Sequence, residues 1–246
     1  MNVIGIIPAR WASTRFPGKS LAPVGGKPLI QWVVERSRLS RRLKEVLVAT
    51  DDERIRRVVS GLGIRVVMTR ADHPSGTDRV AEAARGRNAE WVVNIQGDEP
   101  LIDPDLIDQL VDALAGNCRW DMATAAAPLD VDVQRSTVCK VVFDKDDQAL
   151  YFSRCPIPFI RDQDFLAQQP VHWRHIGIYM YRTDFLEKLV AEPPCLLERA
   201  ECLEQLRALY LGARIRVIRT DHAGIGVDTP ADVSQVEALM KKMGMM

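Results

Sequence analysis

The chain has 246 residues, 47% of them hydrophobic, which is enough for a sizeable core in one large domain or two small ones and excludes a disordered chain. Lysine plus arginine and aspartate plus glutamate number 33 each, so no global charge draws the protein to nucleic acid or membrane, and any anion site has to be a local concentration of cations. No apolar run approaches the ~18 residues of a membrane span, no basic leader precedes the first apolar run, and the five cysteines (118, 139, 155, 195, 202) form no C-x-x-C pair; a cytoplasmic protein with free thiols and no zinc is expected.

The chain opens on VIGII (3–7), the pattern of a buried strand. Residues 8–20, PARWASTRFPGKS, then end like the phosphate-cradling loop G-x-x-x-x-G-K-[ST]. That loop needs a glycine five places before Gly18, and Ser13 stands there, with a side chain that would crowd a phosphate-wrapping backbone. What remains is a turn-rich loop that carries Arg10, Arg15 and Lys19, threaded with Ser13, Thr14, Pro17 and Gly18. Guanidinium forks and an ammonium suit phosphate oxygens, and Gly18 lets the backbone come close.

Helical and extended patterns then alternate. Helices are predicted over 28–39, 52–63 and 78–86, the first with Pro28 at its first position and the third capped by Thr77; strands are predicted over 45–50, 64–68 and 91–95. Alternation implies crossovers, hence a mainly parallel sheet with helices on both faces and ligands at the carboxyl ends of its strands. The loops 8–25, 69–77 and 96–103 fall at that edge. TRADHPSGTDR (69–79) is a polar turn able to hold a nucleobase with backbone groups. QGDEP (96–100) puts Gln96 and then Asp98 at the end of a strand, where a carboxylate could hold magnesium bridging substrate phosphates.

After a helix from Pro104, the pattern turns strand-rich from about residue 121, with helical stretches near 183–190 and 197–211, a strand near 215–219 and a last helix from Pro230. Asp228, in GIGVDTPAD (224–232), is a candidate second carboxylate for the cation and, with Thr229, also reads as the cap of that helix, two roles that are compatible. Arg154, His175, Tyr179, Glu204 and Gln205 are the kinds of group that bind an acidic, many-hydroxyl ligand. One continuous domain is expected, with a nucleotide part at about 1–120 and 212–246 and a strand-rich sub-lobe at about 121–211.

Taken together, IIPARWASTRFPGKSL, GGKPLI, VATDD, MTRADHPSGTDR, VNIQGDEP, ALYFSR, RHIGIYMYR, LEQLR and GVDTP, collinear from residue 3 to about 235, closely resemble the 3-deoxy-manno-octulosonate (Kdo) cytidylyltransferase family. The resemblance implies an α/β fold of the nucleotide-diphospho-sugar transferase type, a mainly parallel mixed sheet with flanking helices. It further implies a homodimer that makes CMP-Kdo from CTP and Kdo in the cytoplasm for lipopolysaccharide. By the resemblance, Arg10, Ser13, Arg15 and Lys19 take the CTP triphosphate, and Pro74, Ser75, Gly76 and Arg79 the cytidine. Asp98 and Asp228 hold Mg2+, while Gln96 lies against both nucleotide and sugar acid. Arg154, His175, Tyr179, Glu204 and Gln205 surround Kdo, the sub-lobe also carrying the dimer contact. Arg15, Lys19, Asp98 and Asp228 are the residues expected to carry catalysis. QRSTVCKVV (134–142), Cys155 and Met180 depart from the family pattern around the sugar pocket. The alternatives are a cytidylyltransferase for 8-amino-Kdo or N-acylneuraminate, a glycosyltransferase, and a nucleotide-sensing module without catalysis.

Overall fold

A computed structural model describes residues 1–13, 15–116, 119–162, 171–222 and 224–246; Thr14 and Cys118 lie outside them. The chain forms two compact units, 1–111 with 224–246 and 112–223. The first is thus discontinuous in sequence, with its boundaries at 111 and 224 where about 120 and 212 are expected.

In the first unit, β1 (Val3–Ala9) is almost wholly buried, as a central parallel strand must be, and its near-continuous apolar run follows from that. A short hairpin, β2 (Pro23–Val24) and β3 (Lys27–Pro28), leads into α1 (Leu29–Ser37). Pro28 precedes that helix instead of opening it, because it is extended and paired with Pro23 across the hairpin. Next come β4 (Glu45–Thr50), α2 (Glu53–Gly61), β5 (Arg65–Met68), α3 (Gly76–Ala84), β6 (Trp91–Asn94) and α4 (Pro104–Leu114). The four long strands pair in parallel in the order β6-β1-β4-β5. Asp52 caps α2 by accepting from the Arg54 backbone N–H at 2.8 Å, and α2 buries Ile55 and Val59 on one face. The cap of α3 is Ser75, not Thr77: its Oγ accepts from the N–H groups of Thr77 and Asp78, so the helix starts at Gly76, two residues early.

The second unit holds β7 (Met122–Pro128), β8 (Lys140–Phe143), β9 (Ala149–Ser153), β10 (Trp173–Arg182), α5 (Thr183–Ala191), α6 (Leu196–Glu201), α7 (Gln205–Tyr210) and β11 (Ile215–Arg219). β10 is antiparallel to β7 and β8, β8 is antiparallel to β9, and β11 runs parallel to β7. Pairing with β7 is what draws β11 into this unit. The helix expected over 197–211 is two: Cys202 turns left-handed (φ 51) after α6, and the Arg207 guanidinium sits 3.1 Å from Glu198 across the break. The departing stretch 134–142 keeps a buried lysine. The Lys140 ammonium donates to the carbonyls of Arg135 (3.0 Å), Val138 (2.7 Å) and Arg154, which satisfies a charge that burial penalises and fixes the loop before β8.

α8 (Pro230–Lys242) belongs again to the first unit. Its Val236 and Met240 are fully buried with Val24, Leu29, Trp32, Leu101 and Val227, each such side chain contributing about 1.5–3 kcal/mol. That cluster anchors the segment carrying Asp228. Across both units the architecture is the expected one, α/β with a mainly parallel, mixed pairing of strands and flanking helices. Cys139, Cys155, Cys195 and Cys202 are free thiols. No helix among the described residues is long and apolar enough to cross a membrane.

Candidate active site

The carboxyl ends of β1 and β6 and the start of α3 enclose a cleft of about 250 Å³ in the first unit. From the first loop, Arg10, Ser13, Arg15 and Lys19 face it; from the N-cap and first turn of α3, Ser75, Gly76 and Arg79; from the turn after β6, Gln96 and Asp98; and Asp228 closes it. Pro74 is not among the lining residues.

Two features bring the distant acids together. Gly97 passes so close to β1 that a Cβ there would meet the Pro8 carbonyl oxygen at 2.7 Å, so only glycine lets the turn carrying Asp98 pack against the strand end. The Val227 N–H then donates to the Asp98 carbonyl at 2.8 Å, which fixes Asp228 beside Asp98 although 130 positions separate them in sequence. The Asp228 carboxylate is not spent on capping α8. Thr229 and Asp232 form that cap, and the Asp232 carboxylate accepts from the backbone N–H groups of Asp228 and Thr229 at 2.9 and 2.7 Å. These bonds hold the Asp232 carboxyl below its ordinary value.

The first loop reaches both acids. Lys19 Nζ lies 2.7 Å from Asp98 Oδ2 and 3.3 Å from Asp228 Oδ1, and Arg15 Nη2 lies 3.1 Å from Asp228 Oδ1. Arg15 and Asp228 are 66% and 49% exposed, so their pair is worth at most about 1 kcal/mol and does not lock the loop. A single cation therefore touches both carboxylates, as the donor set of a hard, oxygen-seeking cation requires. Magnesium, which is bound through one or two carboxylates plus waters and substrate phosphates, fits such a pair. Among the described residues no group of three or more His, Cys, Asp and Glu side chains converges as a closed metal cage.

Arg79 is 4% exposed, and its guanidinium is engaged by Asp51 (3.3 Å), Thr69 Oγ1 and the Arg70 carbonyl, so this cleft-lining cation is held in place by its neighbours. His73 lines the cleft as well, and nothing in the sequence singled it out. Its Nε2 hydrogen-bonds Glu82. Burial alone would raise the Glu82 carboxyl, but that bond and one from the Arg70 N–H hold it below its ordinary range. The signal was the sequence distance: a His in a polar loop nine residues before a Glu on the following helix.

Arg154, His175, Tyr179, Glu204 and Gln205 all fall in the second unit. His175 Nε2 lies 2.8 Å from Thr124 Oγ1, the Tyr179 hydroxyl donates to Gln205 Oε1 at 3.3 Å, and the His175 and Tyr179 rings are 5.4 Å apart. Burial pushes His175 down to about 3, so the ring is neutral. Burial also pushes the Cys139 thiol, an acceptor for Gln205 at 3.6 Å, up to about 12. Glu204 stands 3.8 Å from Arg207. Three Arg154 donors are committed to carbonyls, Nε to Glu201 (2.7 Å), Nη1 to Ser136 (3.0 Å) and Nη2 to Cys202 (3.2 Å), so that among the described residues two of its five N–H groups are uncommitted.

Residues 4–215 match the family model described as cytidylyltransferase. The chain is 50% identical to the 3-deoxy-manno-octulosonate cytidylyltransferase of Geobacter sulfurreducens, over 98% of this chain and all of the relative. It is 47% identical to the protein of the same name from Bdellovibrio bacteriovorus, over the whole of both. Among solved structures, a CMP:2-keto-3-deoxy-manno-octonic acid synthetase complexed with CTP superposes with a TM-score of 0.93 at 39% identity, covering 99% of this chain and 100% of that one. A cytidylyltransferase from Leptospira borgpetersenii shares the fold, with a TM-score of 0.67 at 22% identity over 98% of this chain and 87% of that one.

Proposed function

Because the chain belongs to the 3-deoxy-manno-octulosonate cytidylyltransferase family, we propose that it transfers CMP from CTP to the anomeric hydroxyl of Kdo, releasing pyrophosphate and supplying CMP-Kdo for lipopolysaccharide. The observation that carries this reading is the meeting of Lys19 with Asp98 and Asp228 in a cleft also lined by Arg10 and Arg15. Such a site pairs cations for a triphosphate with acids for the metal that accompanies it.

In the reaction the sugar hydroxyl attacks the α-phosphorus in line and gives up its proton to water, the bond from the α-phosphorus to the bridging oxygen breaks, and the pyrophosphate leaves with that oxygen. Positioning and charge neutralisation carry most of the rate in such a transfer. Arg10, Arg15 and Lys19 bind phosphate oxygens and offset the charge that gathers on the departing pyrophosphate. Asp98 and Asp228 hold magnesium, which when bound supplies positive charge at the reacting phosphate. Ser75 and Gly76, at the start of α3, present backbone groups to the cytosine, and Gln96 lies against the nucleotide and the sugar acid. The two uncommitted N–H groups of Arg154 face the sugar carboxylate; Tyr179, Glu204, Gln205 and neutral His175 serve its hydroxyls. The protein works in the cytoplasm as a homodimer, as the family resemblance implies.

The test is pyrophosphate release from CTP with a panel of sugar acids: Kdo, 8-amino-Kdo and N-acylneuraminate. Turnover with Kdo far above the others is expected, and none with Kdo would sink the reading. Light scattering of the same sample gives the oligomeric state.

A further inference from the structure

We propose that Trp11 and Arg54 are positioning residues that hold the first loop in its triphosphate-binding shape, an inference that rests on the nucleotide reading of the cleft. Neither is among the residues lining the cleft. Trp11 instead closes the loop on itself. Its carbonyl accepts from the N–H groups of Ser13 (2.8 Å) and Gly18 (3.0 Å), and its ring lies against Gly18 so closely that a Cβ there would come within 2.9 Å of the ring carbon Cη2. Gly18 is left-handed, with φ +72, and Lys19 follows it directly. The ring thus packs on the pivot from which Lys19 reaches Asp98 and Asp228.

Arg54 holds the ring. Its guanidinium carbon lies 3.4 Å from the centre of the Trp11 ring, a cation–π contact at close range. The same guanidinium is gripped by the two oxygens of Asp52, Nε to Oδ1 at 3.0 Å and Nη2 to Oδ2 at 2.6 Å, and Asp52 is itself the cap of α2. A continuous chain of contacts therefore runs from the start of α2 through Asp52, Arg54 and Trp11 to Gly18 and the catalytic loop. Cations in a loop bind a triphosphate tightly only if the loop is already ordered, since ordering it on binding subtracts from affinity. The stack supplies that order from a helix outside the cleft.

The experiment measures CTP binding by calorimetry without sugar acid, then steady-state kinetics with both substrates varied, for Arg54→Gln, Arg54→Lys, Trp11→Phe, Trp11→Ala and the control Arg57→Gln. Arg54→Gln should weaken CTP binding and raise its KM by about 2- to 5-fold, the scale of one exposed cation–π contact. The kcat and the KM for sugar acid should stay close to wild type, and Arg54→Lys and Trp11→Phe should recover most of the loss. Trp11→Ala should lose more, and adding Arg54→Gln to it should cost little further, because the two act through one stack. Unchanged CTP affinity in Arg54→Gln overturns the inference even if Trp11→Ala misfolds. So does an equal loss in Arg57→Gln, or a KM rise shared by both substrates. A wild-type protein that does not bind CTP would instead overturn the function itself, and this inference with it.

Discussion

Lys19 donates to Asp98 at 2.7 Å and lies 3.3 Å from Asp228, so one ammonium from the first loop offsets the charge of both carboxylates. An ammonium and a divalent cation compete for the same oxygens, and the Lys19 side chain is only 15% exposed. Lys19→Met should then do two opposite things. Pyrophosphate release should fall by ~10²-fold or more, the scale of one lost transition-state electrostatic contact. Binding of Mn2+ to the nucleotide-free protein, read by electron paramagnetic resonance, should tighten by roughly 3- to 10-fold as a like charge at contact distance is removed. Equal Mn2+ affinity in mutant and wild type would show that the acids do not hold the metal in free protein.

The two acids also separate binding from capping. Asp98→Asn and Asp228→Asn should each leave a folded protein whose pyrophosphate release falls by ~10²-fold or more, and the double mutant should be little worse than the worse single one, as groups serving one ion are non-additive. Asp228→Asn should not lower the melting temperature, because Thr229 and Asp232 make the cap. Thr229→Ala should, by about 1 kcal/mol of stability. Full activity in either single acid mutant would remove that residue from the mechanism.

These relationships mark how far the sequence was legible. The alternation of apolar runs and helical periods was enough for the parallel strands β1, β4, β5 and β6, since buried strands leave a continuous signal. The cationic loop and Asp98 were readable because each stands directly after a strand. That Asp228 lies beside Asp98 was not, because it depends on the Val227 bond to the Asp98 carbonyl and on the packing of α8, both long-range. Local choices misled in small ways. Ser75 and Thr77 are equally good caps in isolation, and Ser75 takes the role because its Oγ reaches two N–H groups. The break between α6 and α7 rests on a left-handed cysteine, which no propensity forecasts. Arg154 reads as a ligand group, yet three of its donors tie backbone.

His175 gives a pH signature. Burial lowers it from 6.5 to about 3, so below 6.5 the unfolded chain takes up a proton that the native one refuses. The stability it contributes is therefore complete above pH 6.5 and is lost as pH falls toward 3, at up to about 1.4 kcal/mol per pH unit. Melting curves of wild type and His175→Gln should converge as pH drops from 7 to 4. A constant gap between them would mean that His175 titrates alike in both states.

The last prediction concerns the turn that delivers Asp98. A methyl group at position 97 would meet the Pro8 carbonyl oxygen at 2.7 Å, and since a Cβ is fixed by the backbone and the oxygen is itself backbone, no rotation of a side chain relieves the contact. Gly97→Ala must therefore push the turn off the end of β1, at a cost of about 1–3 kcal/mol, the usual range for overpacking. The displacement falls on the residue before Asp98 and on the carbonyl that receives the Val227 N–H, so both acids should shift together. Gly226, whose added Cβ would come no closer than 3.7 Å to the Asp98 carbonyl, is the control: Gly226→Ala should leave stability and activity near wild type. Thermal melts alongside pyrophosphate release decide it. Gly97→Ala should lose activity even at temperatures where it is fully folded, and a folded, fully active Gly97→Ala would show that the acids tolerate a looser turn.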